Sequence, residues 1–483
     1  MLKIPVLQMN DHLRGRAHWR VNEAAGPHRL VVGMIVVVVV AITFSLWTLD
    51  KSHFFYADDW GLLNNAQFRS WNDFFHMLPQ KLYGDRPGGE IVIRVMYGIF
   101  GLDYRWYNGL WLLMHSMNCV LIFVIATKVV PFNRALICAL VAACWESMLG
   151  AASWIGAIFD LAGATWCLAA VLLYALYARS AHAGRRSLAL GVAAVVFHVL
   201  AIRTKEFALA LIVVLAAWDF LTVEKSGWRE RAIRLGPHLA ITLVYSLAYA
   251  HLYLHHQSFV TSGSYRMSLS LASIIAGIAY YFSGAFYVEL AASGAMSMVA
   301  GLAVALFVIL LALTSRVGRA AIVSAFALLS AVLMLAHQRS LLYLYAPHFF
   351  LALALCSVRV HSRVATWATV LAACVLVWWP VHNGSLRNGR QFVLSKGAYS
   401  KTLFDDYVTA MRGEPPPREV TVAVSQTYFD PFTNGSGDAI RLFYRSKEIK
   451  VNVVQERDDG PGPCAKAIDV CLEEMGGHLI RRK

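Results

Sequence analysis

Two adjacent carboxylates, Asp58 and Asp59, stand in FFYADDWGLL, just after the first long apolar run and wedged between aromatic side chains. Carboxylates on neighbouring backbone positions point apart, so one is able to face a reaction centre as a general base while the other takes a structural hydrogen bond or a cation. A solvated or helix-capping acidic pair has the same spelling. Other ionisable groups sit in short polar breaks. DRPGGE carries Arg86 and Glu90, and AIRTKEF carries Lys205 and Glu206 between two apolar runs. QRSLLYLYAPHFF sets Arg339 ahead of Tyr343 and Tyr345, and WIGAIFDLAG holds Asp160. In WYNGLWLLMHSMN the residues Asn108, His115 and Asn118 recur at helical spacing and share one face. Charges in or beside apolar segments cost a few kcal/mol unless paired or functional. A polar stripe along a span also serves as glue between helices.

The elements that must position these groups are membrane helices. The chain has 483 residues, 58% hydrophobic and only 15% charged, too apolar for a soluble enzyme of this size. Its net charge of +14 comes from Lys and Arg in short clusters between apolar runs, a topogenic pattern and not a nucleic-acid footprint. The 20-residue rule gives about eleven spans, near 30–49, 106–127, 133–151, 154–178, 187–202, 206–222, 237–255, 297–314, 319–336, 342–358 and 363–380. The basic N-terminus with Arg14, Arg16 and Arg20 reads as the cytoplasmic flank of a signal anchor. From that start, every internal loop carries Lys or Arg, as the positive-inside rule asks. The same rule makes 271–292 a helix lying on or re-entering the outer face, while 91–101 is a juxtamembrane helix too short to cross.

The domain division expected is a cytoplasmic segment 1–29, a transmembrane domain 30–383 with an outer loop 50–105, and a soluble non-cytoplasmic region 384–483. That last region reads as a polar helix near 397–411, then EVTVAVS and EIKVNVV as strands flanking a short helix in SGDAIRLFY, a small α/β domain. Cys119, Cys138, Cys144, Cys167, Cys356 and Cys374 fall in apolar segments and read as packing residues. Cys464 and Cys471 would lie about 10 Å apart on a helix, so a bridge between them needs non-helical backbone. Asn383-Gly-Ser and Asn434-Gly-Ser fit the N-glycosylation pattern, which matters only in a secretory host.

The order ADDWGLLNNAQF, DRP, a polar helix containing His, WIGAIFDLAG, TKE and QRSLLYLYAPHF resembles the GT-C superfamily of polyprenol-phosphate-sugar-dependent glycosyltransferases. Its bacterial protein O-mannosyltransferase-type members, the lipid A aminoarabinose transferases and the eukaryotic transmembrane-and-TPR O-mannosyltransferases are the nearest likenesses. The resemblance covers 30–380 and makes no claim on the tail. It implies that Asp58 is the catalytic carboxylate, with Asp59 the second candidate. It also implies that Arg86 contacts phosphate or an acidic substrate, Lys205 meets the lipid phosphate with Glu206 as its positioning partner, and His115, Arg339 and Tyr345 contact substrate. Two departures are visible: Ser340 and Leu341 separate Arg339 from the tyrosines, and Trp111 stands one turn before His115 where the family often has a polar residue.

The expected fold class is thus an all-α polytopic GT-C-like membrane protein, with outer-face juxtamembrane helices and a small C-terminal α/β domain. The expected partners are a polyprenyl-phosphate sugar donor and a lipid, glycan or protein acceptor, in a bacterial inner membrane with no nucleic acid. A divalent metal bridging Asp58, Asp59 and the phosphate is an option the carboxylates leave open. Two other classes stay open at this point. A transporter or flippase would line a pathway with the same charges, although the chain has no inverted repeat or matched broken spans. A non-catalytic scaffold would act through its tail.

Overall fold

The computed structural model describes residues 26–48, 54–81, 85–145, 151, 154–182, 187–223, 226–255, 266–288, 294–335, 337–358, 385–425, 429–433, 437–455 and 469–482. Within them run helices α1 (Pro27–Thr48), α2 (Asp59–Phe68), α3 (Pro87–Phe100), α4 (Tyr104–Thr127), α5 (Phe132–Cys144), α6 (Ile158–His182), α7 (Leu188–Ile202) and α8 (Leu211–Thr222). They continue as α9 (Trp228–His255), α10 (Leu271–Ala285), α11 (Gly294–Leu313), α12 (Arg316–Leu333), α13 (Tyr345–Cys356), α14 (Ser385–Ala410) and α15 (Asp438–Tyr444). Five segments are long and apolar enough to cross a membrane: Pro27–Phe44, Tyr104–Thr127, Ile155–Ser180, Gly294–Leu313 and Arg316–Leu333. The 24 residues of α4 reach about 36 Å, more than the ~30 Å of a bilayer core. The 14 residues of α3 reach only about 21 Å. The chain is a multi-pass membrane protein.

Several expected spans prove shorter or differently bounded. Residues 206–222 begin as a 3-10 turn, Glu206–Ala210, and become α-helical only at Leu211. Residues 342–358 likewise begin as a turn, Leu341–Leu344, before α13. The span expected at 237–255 starts earlier, at Trp228, inside the basic loop. The segment expected at 363–380, the basic stretch around Arg14 to Arg20, Cys374, Cys464, Asn383 and Asn434 lie outside the described residues.

Packing follows the apolar stripes. Helix α4 lies against α1, α5 and α6; α6 against α7; α12 against α8 and α13; and α10 against α11. Polar side chains fix the ends: Ser315 accepts from Gly318 N at 2.8 Å to start α12, and Ser270 accepts from Ser273 N at 3.2 Å to start α10.

Strands β1 (Glu419–Val424), β2 (Lys450–Gln455), β3 (Val470–Met475) and β4 (His478–Arg482) form one sheet in the order β2-β1-β3-β4. β1 is parallel to both neighbours, with α15 in the β1 to β2 crossover, and β4 is antiparallel to β3. The strands and short helix expected from the sequence are β1, α15 and β2; β3 and β4 add a hairpin closed by Gly476 and Gly477, both at positive φ. Cys471, on β3, is disulfide-bonded, whereas Cys119, Cys138, Cys144, Cys167 and Cys356 are free thiols.

The C-terminal unit is docked on the membrane part through the acidic segment. Trp60 donates its Nε1 hydrogen to Ser400 Oγ of α14 at 3.2 Å, and the Trp60 and Phe404 rings lie 4.8 Å apart. Helix α15 packs on α2.

Candidate active site

The acidic pair is placed by a strained turn. Ala57 has φ 52°, a left-handed conformation that costs an L-residue about 1–2 kcal/mol, and it turns the chain into α2 between Tyr56 and Asp58. The turn sends the two carboxylates to different places. Asp59 is fully buried; its Oδ2 accepts from Tyr56 N at 3.2 Å and its Oδ1 from Gly156 N at 3.0 Å. It ties α2 to the turn Ile155–Ala157 ahead of α6. Burial pushes Asp59 well above the usual carboxylate range, and the two amide donors pull it back. Asp58 instead opens onto a cavity of about 1500 Å³. Its carboxylate is solvent-accessible, yet enough protein surrounds it for desolvation to raise its pKa, which makes it a stronger base.

Arg86 and Lys205 line the same cavity, each fixed by a carboxylate. Arg86 Nε donates to Glu206 Oε1 at 2.7 Å, and its guanidinium lies over the Phe159 ring at 5.4 Å. Burial opposes the charge on Arg86, and the Glu206 carboxylate more than offsets it, holding the guanidinium above its ordinary value. Lys205 Nζ donates to Asp160 Oδ2 at 3.0 Å, with the Tyr343 ring centroid 5.5 Å away.

Glycine makes this convergence possible. Gly88 follows Pro87 at the start of α3, and its N donates to Arg203 O at 3.1 Å. A Cβ at Gly88 would lie 2.0 Å from Thr204 Oγ1, so only glycine lets the DRPGGE and TKE segments touch and Arg86 reach Glu206. Gly163 does the same for α6: a Cβ there would meet Lys205 Cβ at 3.2 Å and Phe207 at 3.1 Å.

A second ring of charge supports α3. Arg69 pairs with Glu90 at 2.7 Å and with Asp85 at 3.6 Å, and Arg203 approaches Asp85 at 3.5 Å. Glu90 faces the cavity as well, its pKa pushed up to about 7 by burial against the pull of Arg69. Much of the remaining wall is apolar, with Leu209 and Val213, Leu269 just ahead of α10, and Leu328, Val332 and Leu335 from α12 and just beyond its end. Phe429, from the C-terminal unit, also lines the cavity.

The chain has likenesses among solved structures. No family model matches the sequence, and no curated protein matches it. The chain is similar to ArnT from Cupriavidus metallidurans in the apo state, at 15% identity over 88% of this chain and 86% of that one, TM-score 0.49. It is similar to the same protein bound to undecaprenyl phosphate, at 14% identity, the same two coverages and TM-score 0.48. The Archaeoglobus fulgidus oligosaccharyltransferase in the apo form gives 13% identity over 88% of this chain and 64% of that one, TM-score 0.47. At these identities the chemistry has to be read from the cavity and the side chains that line it.

Of the residues singled out in the sequence, Asp58, Arg86, Lys205 and Glu206 line one cavity. Asp59 lies behind it. His115 and Tyr345 are fully buried and bonded to each other, Nδ1 to Oη at 2.9 Å, while Asn118 Nδ2 donates to the same Oη at 3.1 Å and to Leu161 O at 3.1 Å. That cluster ties α4, α6 and α13 together. Arg339 falls between Gln338 and Ser340, which line the cavity, but is not itself in the lining. Asp160 and Phe159 belong to the site more closely than their sequence setting suggests, as does Tyr343. The alternation of ionisable residues with apolar runs marks Asp160; nothing in the spelling marks Phe159.

Among the described residues no group of three or more His, Cys, Asp or Glu side chains gathers where a metal ion would bind. A divalent ion bridging both carboxylates of the acidic pair does not fit, because both oxygens of Asp59 are engaged by backbone amides and the side chain is buried.

Proposed function

We propose that the chain is a membrane glycosyltransferase that moves a sugar from a polyprenyl-phosphate donor to an acceptor hydroxyl on the non-cytoplasmic face, with inversion at the anomeric carbon. The observation that carries the reading is a cavity in which the Asp58 carboxylate shares the space with two carboxylate-anchored cations, Arg86 and Lys205, beside a largely apolar wall. Such a donor asks for those three things: a base, cations for the departing phosphate and an apolar groove for the prenyl chain.

In this reaction the acceptor hydroxyl gives its proton to Asp58 as its oxygen bonds to the anomeric carbon. The bond from that carbon to the phosphate oxygen breaks, and the electron pair leaves with the polyprenyl phosphate. Positive charge develops on the sugar and negative charge on the leaving group. Glu206 takes the Nε edge of Arg86 and Asp160 takes one hydrogen of the Lys205 ammonium, so the carboxylates fix both cations while further donors serve the phosphate. Cations held in place before the reaction stabilise that charge without reorganising.

The same charges would line a transport pathway, but a base set with anchored cations is what bond transfer needs and passage does not. The test is a lipid extract from cells with and without the protein. The proposal expects a polyprenyl-phosphate sugar to accumulate in its absence and to disappear when the wild-type gene returns. Identical lipid-linked sugars in both cell types would overturn it.

A further inference from the structure

Beside the large cavity lies a second one of about 470 Å³, lined by α2, the loop after it and the C-terminal unit. A volume of that size suits a small molecule or one sugar residue. Its chemistry differs from that of its neighbour. It has no long apolar wall, and its charged lining consists of Arg69, Lys81 and Lys447 against a single carboxylate, Asp73. Arg69 is already paired with Glu90, and Asp73, whose Oδ2 accepts from Ser70 N at 2.9 Å, stays ionised, so the two lysines carry the excess positive charge.

Three further observations point to a ligand with both acid and hydroxyl groups. Asn64 lines the cavity and its Oδ1 is buried without a hydrogen-bond partner, an acceptor that rotation of the amide offers to a donor such as a sugar hydroxyl. Lys447 is held over the cleft by donating to Phe68 O at 2.9 Å, with the Phe68 ring 5.4 Å from its ammonium, so the C-terminal unit delivers a positioned cation to a site built by the membrane part. Asn65 lines both cavities, and Asp58 and Asn65 lie seven residues apart along the turn into α2 and its first turns. A molecule seated in the small cavity therefore touches a residue that also lines the large one.

We infer that the second cavity is the acceptor subsite, and that it takes a phosphate ester flanked by hydroxyls, with Lys81 and Lys447 holding the phosphate and Asn64 and Asn65 the hydroxyls. The inference rests on the glycosyl-transfer reading for the word acceptor, but the binding chemistry stands without it. It also explains why the C-terminal unit docks where it does, since Lys447 selects what is glycosylated. The phosphate ester belongs either to a soluble sugar phosphate or to an anionic lipid headgroup, and the two sources share the chemistry recognised here.

The experiment measures binding of glucose 6-phosphate to the purified full-length chain in detergent, and of the chain in nanodiscs containing or lacking phosphatidylglycerol. Wild type, Lys81→Gln, Lys447→Gln, the double variant and the control Lys450→Gln are compared. Lys450, on β2, is not among the cleft's lining residues, and its replacement changes the net charge by the same amount. Charge-assisted hydrogen bonds of this kind correspond to about a tenfold change in Kd each. The expected result is saturable binding of one of the two probes that weakens about tenfold in each single variant, weakens with added salt, and is unchanged in Lys450→Gln. Saturation by the sugar phosphate assigns a soluble glycan source, and tighter association of the nanodisc headgroup assigns a lipid source. Absence of binding, or equal binding by wild type and the double variant with both proteins folded by thermal melt, overturns the inference. Transfer measured in parallel with Asp58→Asn separates the two claims. Normal transfer in that variant removes the active-centre reading and leaves the anion site standing, whereas lost transfer with unaltered probe binding in the lysine variants does the reverse.

Discussion

Replacing Gly88 by alanine tests whether the site depends on the close approach of α3 to the TKE segment. The added Cβ would sit 2.0 Å from Thr204 Oγ1, 3.1 Å from Thr204 Cβ and 3.3 Å from Thr204 Cα. Ordinary contact lies near 3.4 Å or more, so either the threonine rotates or α3 withdraws by roughly 1 Å. Rotation removes the clash with Oγ1 but not the backbone-side contacts, and Oγ1 is itself bonded to Leu200 O at 2.6 Å. A withdrawal of about 1 Å lengthens the Arg86 to Glu206 bond from 2.7 Å to beyond hydrogen-bonding range. Overpacking of this kind costs about 1–3 kcal/mol in stability, and misplacing a catalytic cation by about 1 Å costs up to about a hundredfold in rate. The assay is sugar transfer in proteoliposomes together with a thermal melt. The prediction is a tenfold to hundredfold loss in kcat with a lowered Tm, and partial recovery in Gly88→Ala/Thr204→Ala, where the Oγ1 clash is gone. Full activity and an unchanged Tm in Gly88→Ala would refute the reasoning.

Other changes have separate signatures. Ala57→Gly relieves the left-handed strain but adds chain entropy to the unfolded state, so a melt should show a gain of up to about 1 kcal/mol with transfer retained; a lower Tm would contradict it. Asp59→Asn turns an amide hydrogen toward one of two backbone N–H donors and should lower stability by about 1–3 kcal/mol, read as a melting shift larger than that of Asp58→Asn. Glu90 has a folded pKa near 7, above its ordinary value, so its contribution to stability is fully present below about pH 4.5 and is lost as pH rises through about 7. The melting temperature of wild type relative to Glu90→Gln should therefore fall across that window, and a difference independent of pH would argue against a buried, proton-holding Glu90.

The helical membrane class is readable in the sequence because apolar runs of spanning length need no partner to be recognised. Asp58, Arg86, Lys205 and Glu206 stand out because each interrupts or borders such a run. The pairings between them are not readable. Arg86 and Glu206 are 120 residues apart, Trp60 and Ser400 340 apart, and no local period encodes those contacts. Asp58 and Asp59 are equal in the spelling; only the φ of Ala57 and the Gly156 amide, 97 residues away, separate the open carboxylate from the buried one. His115 and Tyr345 draw attention as polar groups in spans, yet they satisfy one another inside the bundle. The β3 and β4 hairpin is hard to foresee because VCLEEM carries two glutamates, although the Gly476-Gly477 turn is a usable signal. Pro87-Gly88-Gly89 reads as a helix start, but the reason for two glycines lies in Thr204 and Phe159.

The central claim is that Asp58 is the base of a sugar transfer conducted in the large cavity. Its most direct test is single-turnover transfer from a polyprenyl-phosphate sugar by purified wild type and Asp58→Asn, with the melt of each recorded. A general base contributes about 10²- to 10⁴-fold, so the account predicts a loss of that size in the transfer step with donor binding and Tm retained. Transfer by folded Asp58→Asn within about twofold of wild type, far short of what a general base supplies, would contradict it.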